Sequence, residues 1–260
     1  IANVKVYNFR SINSLSKFSF AILYFMILKD FQTRLDLDFI AQKEILENKI
    51  ARGLNFYKMF WIFVFGSFLG VFVETLVFLV FKHELQVRSG LVYGTFNLIY
   101  GFGAVFMTLI LYWVRKKRNF VLFFLGIIIG SIIEYASSWI QEVVFHSESW
   151  NYSNMPLNLH GRINLFYSIL WGLFSVTWIR WILPLLSLVI IKIPNESIKT
   201  LTWIFFAFLV VNILVSVFAV SRWISRESGL QAKKNLWKFI DKRFPDERMR
   251  ILYPSLNFIN

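Results

Sequence analysis

The sequence predicts an all-α fold, a multi-span transmembrane helical bundle of about five spans with an internal repeat of helix-loop-helix units and amphipathic terminal helices. Three observations carry this. Hydrophobic residues make up 57% of the 260-residue chain, thirty of them phenylalanine, and mean hydropathy is +0.57; a soluble core of this length needs far less apolar side chain. Five apolar windows are each long enough to cross about 30 Å of hydrocarbon. The net charge of +13 falls in the connections and the tail, where lysine and arginine face anionic lipid.

The chain divides into an N-terminal polar or interfacial region (1–56), a membrane core with two similar halves (57–193, halves 57–114 and 119–179), a last span (194–220) and a basic amphipathic tail (221–260). In the first region 18–28 is apolar but short for a span of ~20 residues, which leaves open a signal-like anchor, an interfacial helix or part of a longer span. The stretch "LDFIAQKEILENKIARGLNFYK" suits a polar helix leading into the first span.

The windows run over 59–81, 91–114, 120–145, 165–191 and 201–220. "RKKR" at 115–118 is the strongest cytoplasmic marker and places the start of the first span, with Lys49, Arg52 and Lys58, on the same side. Connections 82–90 and 146–164 then face outward. Three further crossings would carry the basic tail outside, against the positive-inside rule. Arg180 and Pro184 interrupt the fourth window, so a re-entrant or interfacial piece there is expected to restore parity, because proline removes a backbone donor and clashes with the preceding turn; a tail that truly lies outside is the alternative. The tail, with "AKKNLWKFIDKRF", fits an amphipathic helix on the membrane surface, a better reading of its basic and aromatic residues than nucleic-acid binding.

Two intramembrane glutamates stand in a matching pattern. Gly66, Gly70 and Glu74 recur sixty positions later as Gly126, Gly130 and Glu134; Gly101 matches Gly161 at the same displacement, and Tyr93 and Tyr152 fall one short of it. Residues four apart stack on one helix face, and in the second copy the stripe continues through Ser138 to Glu142. Glycines so spaced admit a second helix closely. The glutamates are therefore expected on a packed seam rather than toward lipid, since a charge in a span costs about 2.5–3.5 kcal/mol on insertion scales. Such a group either braces helices or contacts a substrate, proton or ion.

The chain has no cysteine, which removes thiolate chemistry. His83, His146 and His160 show no HxxxH or HExxH spacing, so no metal and no cofactor is expected. There is no GxxxxGK[ST] loop and no GxSxG elbow. Arg162 stands at the outer mouth of the fourth span, where its fork would pair with Glu142 or Glu134 or hold a phosphate or carboxylate. Trp139, Trp150, Tyr152 and Trp171 read either as interfacial aromatics or as a stacking platform; Asn97 and Asn158, near glycines, would cap helix ends or ligate a polar substrate.

"GLVYGTFNLIYGFGAV" at 90–105, "EYASSWIQEVVF" at 134–145 and "WNYSNMPLNLHGRINLFYSILWG" at 150–172 resemble the signature blocks of the integral membrane family called putative ABC-transporter type IV, or CmpB-like. The resemblance spans roughly 59–193. It rests on Tyr93, Gly94, Asn97, Tyr100, Gly101 and Gly103, then Glu134, Trp139 and Glu142, then Trp150, Tyr152, Pro156, Asn158, Gly161, Arg162 and Trp171. Thr95 and Leu98 stand where the family pattern has prolines, and Asn151 where it has an aspartate. The resemblance implies transport, and a chain without its own phosphate loop would then need a separate ATPase subunit. Candidate substrate-binding residues are Glu74, Tyr93, Asn97, Tyr100, Glu134, Trp139, Glu142, Trp150, Tyr152, Asn158, Arg162 and Trp171; catalytic residues are not assigned. Membrane lipid is the expected partner and nucleic acid is not. Three functions remain open: a permease-like subunit with a polar intramembrane site near the outer face, an intramembrane enzyme acting on a lipid or lipid-linked substrate, and a structural or regulatory membrane protein.

Overall fold

The computed structural model describes residues 36–47, 49–83 and 85–258; the apolar stretch 18–28 lies outside them. Helix α1 (Leu37–Leu46) is capped by Asp36, whose side chain accepts from the Asp38 N–H at 2.8 Å. It buries Leu37 and Ile40 and does not run on into the first span, because the chain turns at 49–54. There Glu44 pairs with Lys58 in a buried ion pair and accepts the Gly53 N–H at 2.9 Å.

Helix α2 (Phe56–Lys82) is capped by Asn55. Helix α3 (Leu98–Leu111) is capped by Asn97, which accepts the Ile99 N–H at 3.1 Å, and ends in a 3-10 turn at Tyr112–Val114. Helix α4 (Asn119–Phe145) starts directly after "RKKR". Helix α5 (Leu165–Lys192) is capped by Asn164, and α6 (Asn195–Glu227) follows Pro194. Short helices α7 (Asn235–Arg243) and α8 (Asp246–Leu252) form the tail. Strands β1 (Ser147–Glu148) and β4 (Asn257–Phe258) pair antiparallel, as do β2 (Asn158–Leu159) and β3 (Ile163–Asn164).

Helices α2, α4, α5 and α6 are long and apolar enough to cross a membrane, which makes this a multi-pass membrane protein. The expected second span is shorter than its apolar window. Residues 91–97 are not helical, so α3 with its 3-10 turn rises only about 25 Å. Leu91 and Val92 are buried nonetheless. The extended backbone there is satisfied by α6: Asn212 accepts the Tyr93 N–H at 3.2 Å and donates to its carbonyl at 2.7 Å, while Ser216 accepts the Val92 N–H at 3.0 Å. Irregular backbone tolerates this depth only with such partners.

The fourth span is also corrected. Pro184 neither ends α5 nor makes a re-entrant piece; a π-helical turn at Trp178–Ile182 absorbs the missing donor and the helix continues. Parity is not restored. The tail lies at the opposite end of the bundle from "RKKR", with β4 on β1, Arg88 donating to Ser255 at 3.2 Å and Tyr253 reaching the Gly90 carbonyl. The other end gathers α1, "RKKR" and the start of α6: Asp38 binds Arg115 at 2.6 Å and Lys116 at 2.5 Å, Arg180 donates to the carbonyls of Arg115 and Lys117, and Asn195 accepts the Ile50 N–H. The hydrogen bonds from Lys116 and Arg115 hold the Asp38 carboxyl below its usual range.

Helix α2 packs most extensively on α3, and α4 on α5. Between them, toward the "RKKR" end, Ile62, Ala104, Met107, Leu111, Leu122, Trp178, Ile179 and Leu183 form an apolar core.

Candidate functional site

Glycine contacts set the seams that carry the glutamates. A Cβ on Gly66 would lie 2.5 Å from that of Ala104, and one on Gly70 would lie 2.1 Å from the Tyr100 ring. On α4, a Cβ on Gly126 would meet the Ser175 hydroxyl at 2.1 Å and one on Gly130 the Trp171 ring at 2.2 Å. Only glycine allows α2 to approach α3, and α4 to approach α5, this closely.

One turn beyond each second glycine, the carboxylate meets the aromatic residue that packs on that glycine. Tyr100 donates its hydroxyl to Glu74 Oε2 at 2.9 Å. Trp171 donates its indole N–H to Glu134 Oε2 at 3.0 Å, and Tyr152 donates to Oε1 at 2.9 Å. Glu134 is buried, at 7% exposure. Both carboxylates thus face protein, where hydrogen bonds offset their desolvation. Glu74 stands about 27 Å along α2 from Phe56, and Glu134 about 22 Å along α4 from Asn119.

Arginines complete the cluster. Arg88 donates to Glu74 Oε1 at 2.6 Å and to the Ser149 carbonyl at 3.1 Å. Arg162 pairs with Glu142, donates to Ser138 at 3.3 Å and stands 5.7 Å over the Tyr135 ring, while its Nε is buried with no hydrogen-bond partner. Trp150 fixes this region by donating to the Arg162 carbonyl at 3.0 Å. A tight turn delivers Arg162: His160 and Gly161 have φ of 54° and 68°, and the Arg162 N–H bonds the Leu159 carbonyl at 3.1 Å, as in a type I′ hairpin. Tyr152 stacks on Tyr167 at 4.7 Å. Burial pushes its hydroxyl well up, and the Glu134 charge adds to this.

The expected residues separate into two groups. Glu74, Tyr100, Glu134, Tyr152 and Trp171, with Glu142, Arg162 and Trp150 at the mouth, occupy this end of the bundle. The others do different work. Tyr93 is tied to α6 through its backbone and packs edge-on against Phe244 of the tail. Asn97 is a helix cap. Asn158 organises its own loop through the Met155 carbonyl and the Gly161 N–H. Trp139 is 52% exposed on α4. The matching of Gly101 with Gly161 does not hold in space: Gly161 is the turn residue, and the α5 glycine whose Cβ would strike the neighbouring helix, as Gly101's would strike Phe63 and Ser67, is Gly172, against Phe123 and Ile127. Arg88 was not among the expected residues. With Lys82 in the same 82–90 connection, nothing in the sequence singled it out.

Among the described residues no group of three His, Cys, Asp or Glu is placed to hold a metal ion. His83 and His146 sit in left-handed conformation at the ends of α2 and α4, and His160 bonds the Tyr135 hydroxyl at 2.8 Å.

No curated protein and no solved structure matches the chain. A family model described as "Putative ABC-transporter type IV" matches residues 61–217, which include α3, α4, α5, both glutamates and both arginines. The match covers more than half of the chain, which belongs to that family of ABC-transporter-type membrane proteins.

Proposed function

We propose that the chain is a permease-like subunit in which two equivalent helix pairs, α2–α3 and α4–α5, hold a polar solute at the loop-bearing end of the bundle. The carrying observation is the shared construction of the two carboxylates. In each pair a glycine receives an aromatic ring of the partner helix, and the same ring donates to the glutamate one turn further on. That correspondence supports an internal repeat whose units share one orientation, related by an axis along the membrane normal.

The site offers carboxylates, phenol hydroxyls and two guanidinium groups, and the buried Nε–H of Arg162 has no hydrogen-bond partner. The "RKKR" end of the same helices is closed by Met107, Leu111, Leu122 and Trp178. A polar end and a sealed end suit one state of an alternating-access cycle, with a separate ATPase subunit supplying the drive. The same one-ended polarity favours a second reading, a blind site in which Glu134 or Glu142 acts as acid or base on a lipid-linked substrate.

Because the native chain has no cysteine, single-cysteine variants separate the two. Ser138→Cys at the site and Thr108→Cys, whose hydroxyl is bonded by Trp178 at 2.8 Å within the seal, are treated with a membrane-impermeant thiosulfonate from either face of native membrane vesicles. Transport predicts that Ser138→Cys reacts from the loop face and that Thr108→Cys becomes reactive from the "RKKR" face when ATP is supplied. A seal that stays unreactive with and without ATP rejects the permease reading and leaves the enzyme.

A further inference from the structure

The outer face of α7 continues a lipid-facing stripe of α6. Val211, Leu214 and Phe218 follow one another at helical spacing on one side of α6 and are 59%, 52% and 40% exposed. Phe218 stands about 35 Å along the helix from Asn195, at the far boundary of roughly 30 Å of hydrocarbon. Trp237 of α7 packs edge-on against Phe218 at 5.8 Å, so α7 lies where the acyl chains meet the headgroups. Its inner face is fixed: Ile240 is buried, and Asp241 binds Arg222 at 2.7 Å and Arg226 at 2.5 Å. The hydrogen bonds from Arg222 and Arg226 hold the Asp241 carboxyl below its usual range. Phe239, 66% exposed, stands on the far side of the helix beside the exposed Lys238, Lys242 and Arg243, and Leu236, one turn before Ile240 at the edge of the inner face, is 56% exposed.

A helix with large apolar side chains between bases, held at that height, has the composition of an interfacial anchor. We propose that α7 binds the anionic phospholipid surface of the leaflet on the tail side, with Leu236 and Phe239 entering the acyl boundary and Lys238, Lys242 and Arg243 taking lipid phosphates. The commitment to a bilayer rather than a protein rests on the unbroken passage from the α6 stripe to α7 and on the charge of the flanking residues.

The cysteine-free chain again makes the test direct. Full-length protein carrying Leu236→Cys or Phe239→Cys is labelled with an environment-sensitive fluorophore and reconstituted into vesicles of phosphatidylcholine, with or without phosphatidylglycerol, that contain shallow doxyl-labelled lipid. Expected are a blue-shifted emission quenched by the doxyl lipid, and stronger quenching with phosphatidylglycerol. Replacing Lys238, Lys242 and Arg243 with glutamine should lower partitioning by about fivefold per charge at low salt, with the effect fading as salt rises. A blue shift without doxyl quenching would mean a protein covers the face and would overturn the proposal. Quenching that ignores both phosphatidylglycerol and the triple substitution would overturn its anionic specificity.

Discussion

Arg88 and Glu74 form an ion pair at 2.6 Å, and the same guanidinium reaches the Ser149 carbonyl and the Ser255 hydroxyl. One side chain therefore joins α2, the 146–164 connection and the tail. Both partners are 18% exposed, so removing one leaves the other's charge largely buried without its counter-ion. Arg88→Met should destabilise by about 2–3 kcal/mol, toward the low end for broken buried pairs, and Arg88→Met with Glu74→Gln should recover part of that loss. A double-mutant cycle on thermal unfolding in detergent measures the coupling. Zero coupling would remove this pair from the account of the site.

Glu134 takes two donors; in Glu134→Gln the amide oxygen keeps the Trp171 N–H while the NH₂ donates to Tyr152, whose hydroxyl turns from donor to acceptor. Exchanging bonds to a carboxylate for neutral ones costs about 1 kcal/mol. Tyr152→Phe should then cost less stability when combined with Glu134→Gln than it does in the native chain. Under the permease reading Glu134→Gln and Arg162→Ala each abolish transport while membrane insertion, followed by extraction and size-exclusion profile, is retained. Normal transport by both would detach the cluster from function.

The glycine and glutamate spacing made the seams legible before any coordinates, because close helix approach and the avoidance of lipid by a carboxylate are local rules. Arg162 was legible for the same reason, as a fork beside acids on a helix face. Arg88 was not, since nothing local says that the 85–97 segment folds back along α6, where Asn212 receives Tyr93. Apolarity alone extended the second span to Leu91; hydropathy reads burial at Leu91 and Val92 correctly but cannot tell a buried loop from a helix. Pro184 misled in the opposite direction, because a π turn two residues earlier is invisible in composition.

Trp171 lies between two glycines that confine it unequally. A Cβ on Gly130 falls 2.2 Å from its ring, whereas one on Gly103 of α3 falls at 3.3 Å. Gly130→Ala should therefore displace Trp171 from Glu134 and cost about 1–3 kcal/mol, as overpacking does, while Gly103→Ala should cost clearly less. Thermal unfolding gives the ranking. Equal effects would show that the α4–α5 seam yields as readily as the α3 contact and is not set by glycine.

Asn212 is 1% exposed and satisfies both backbone groups of Tyr93. Asn212→Leu, similar in size, leaves a part-buried N–H and carbonyl without these partners, at up to about 1–3 kcal/mol each. Hydrogen exchange localised to 90–97 should rise in that variant and stay unchanged at the α4–α5 seam. Unchanged exchange at 90–97 would mean that the loop is held by its apolar side chains alone.

Tyr253 ties the tail to the bundle beside Gly90 and Ser216. Burial pushes its hydroxyl up to about 12, against about 10 in an unfolded chain. The folded state keeps the phenol proton more tightly, so this contribution is whole below about pH 10 and is lost as the pH rises through about 12. The two-unit gap corresponds to about 2–3 kcal/mol. Proteolytic release of the tail in detergent should therefore accelerate between about pH 10 and 12 in the native chain. Tyr253→Phe, which has no proton to lose, should show a flat profile across the same window; an identical rise in both chains would assign alkaline loosening to another group.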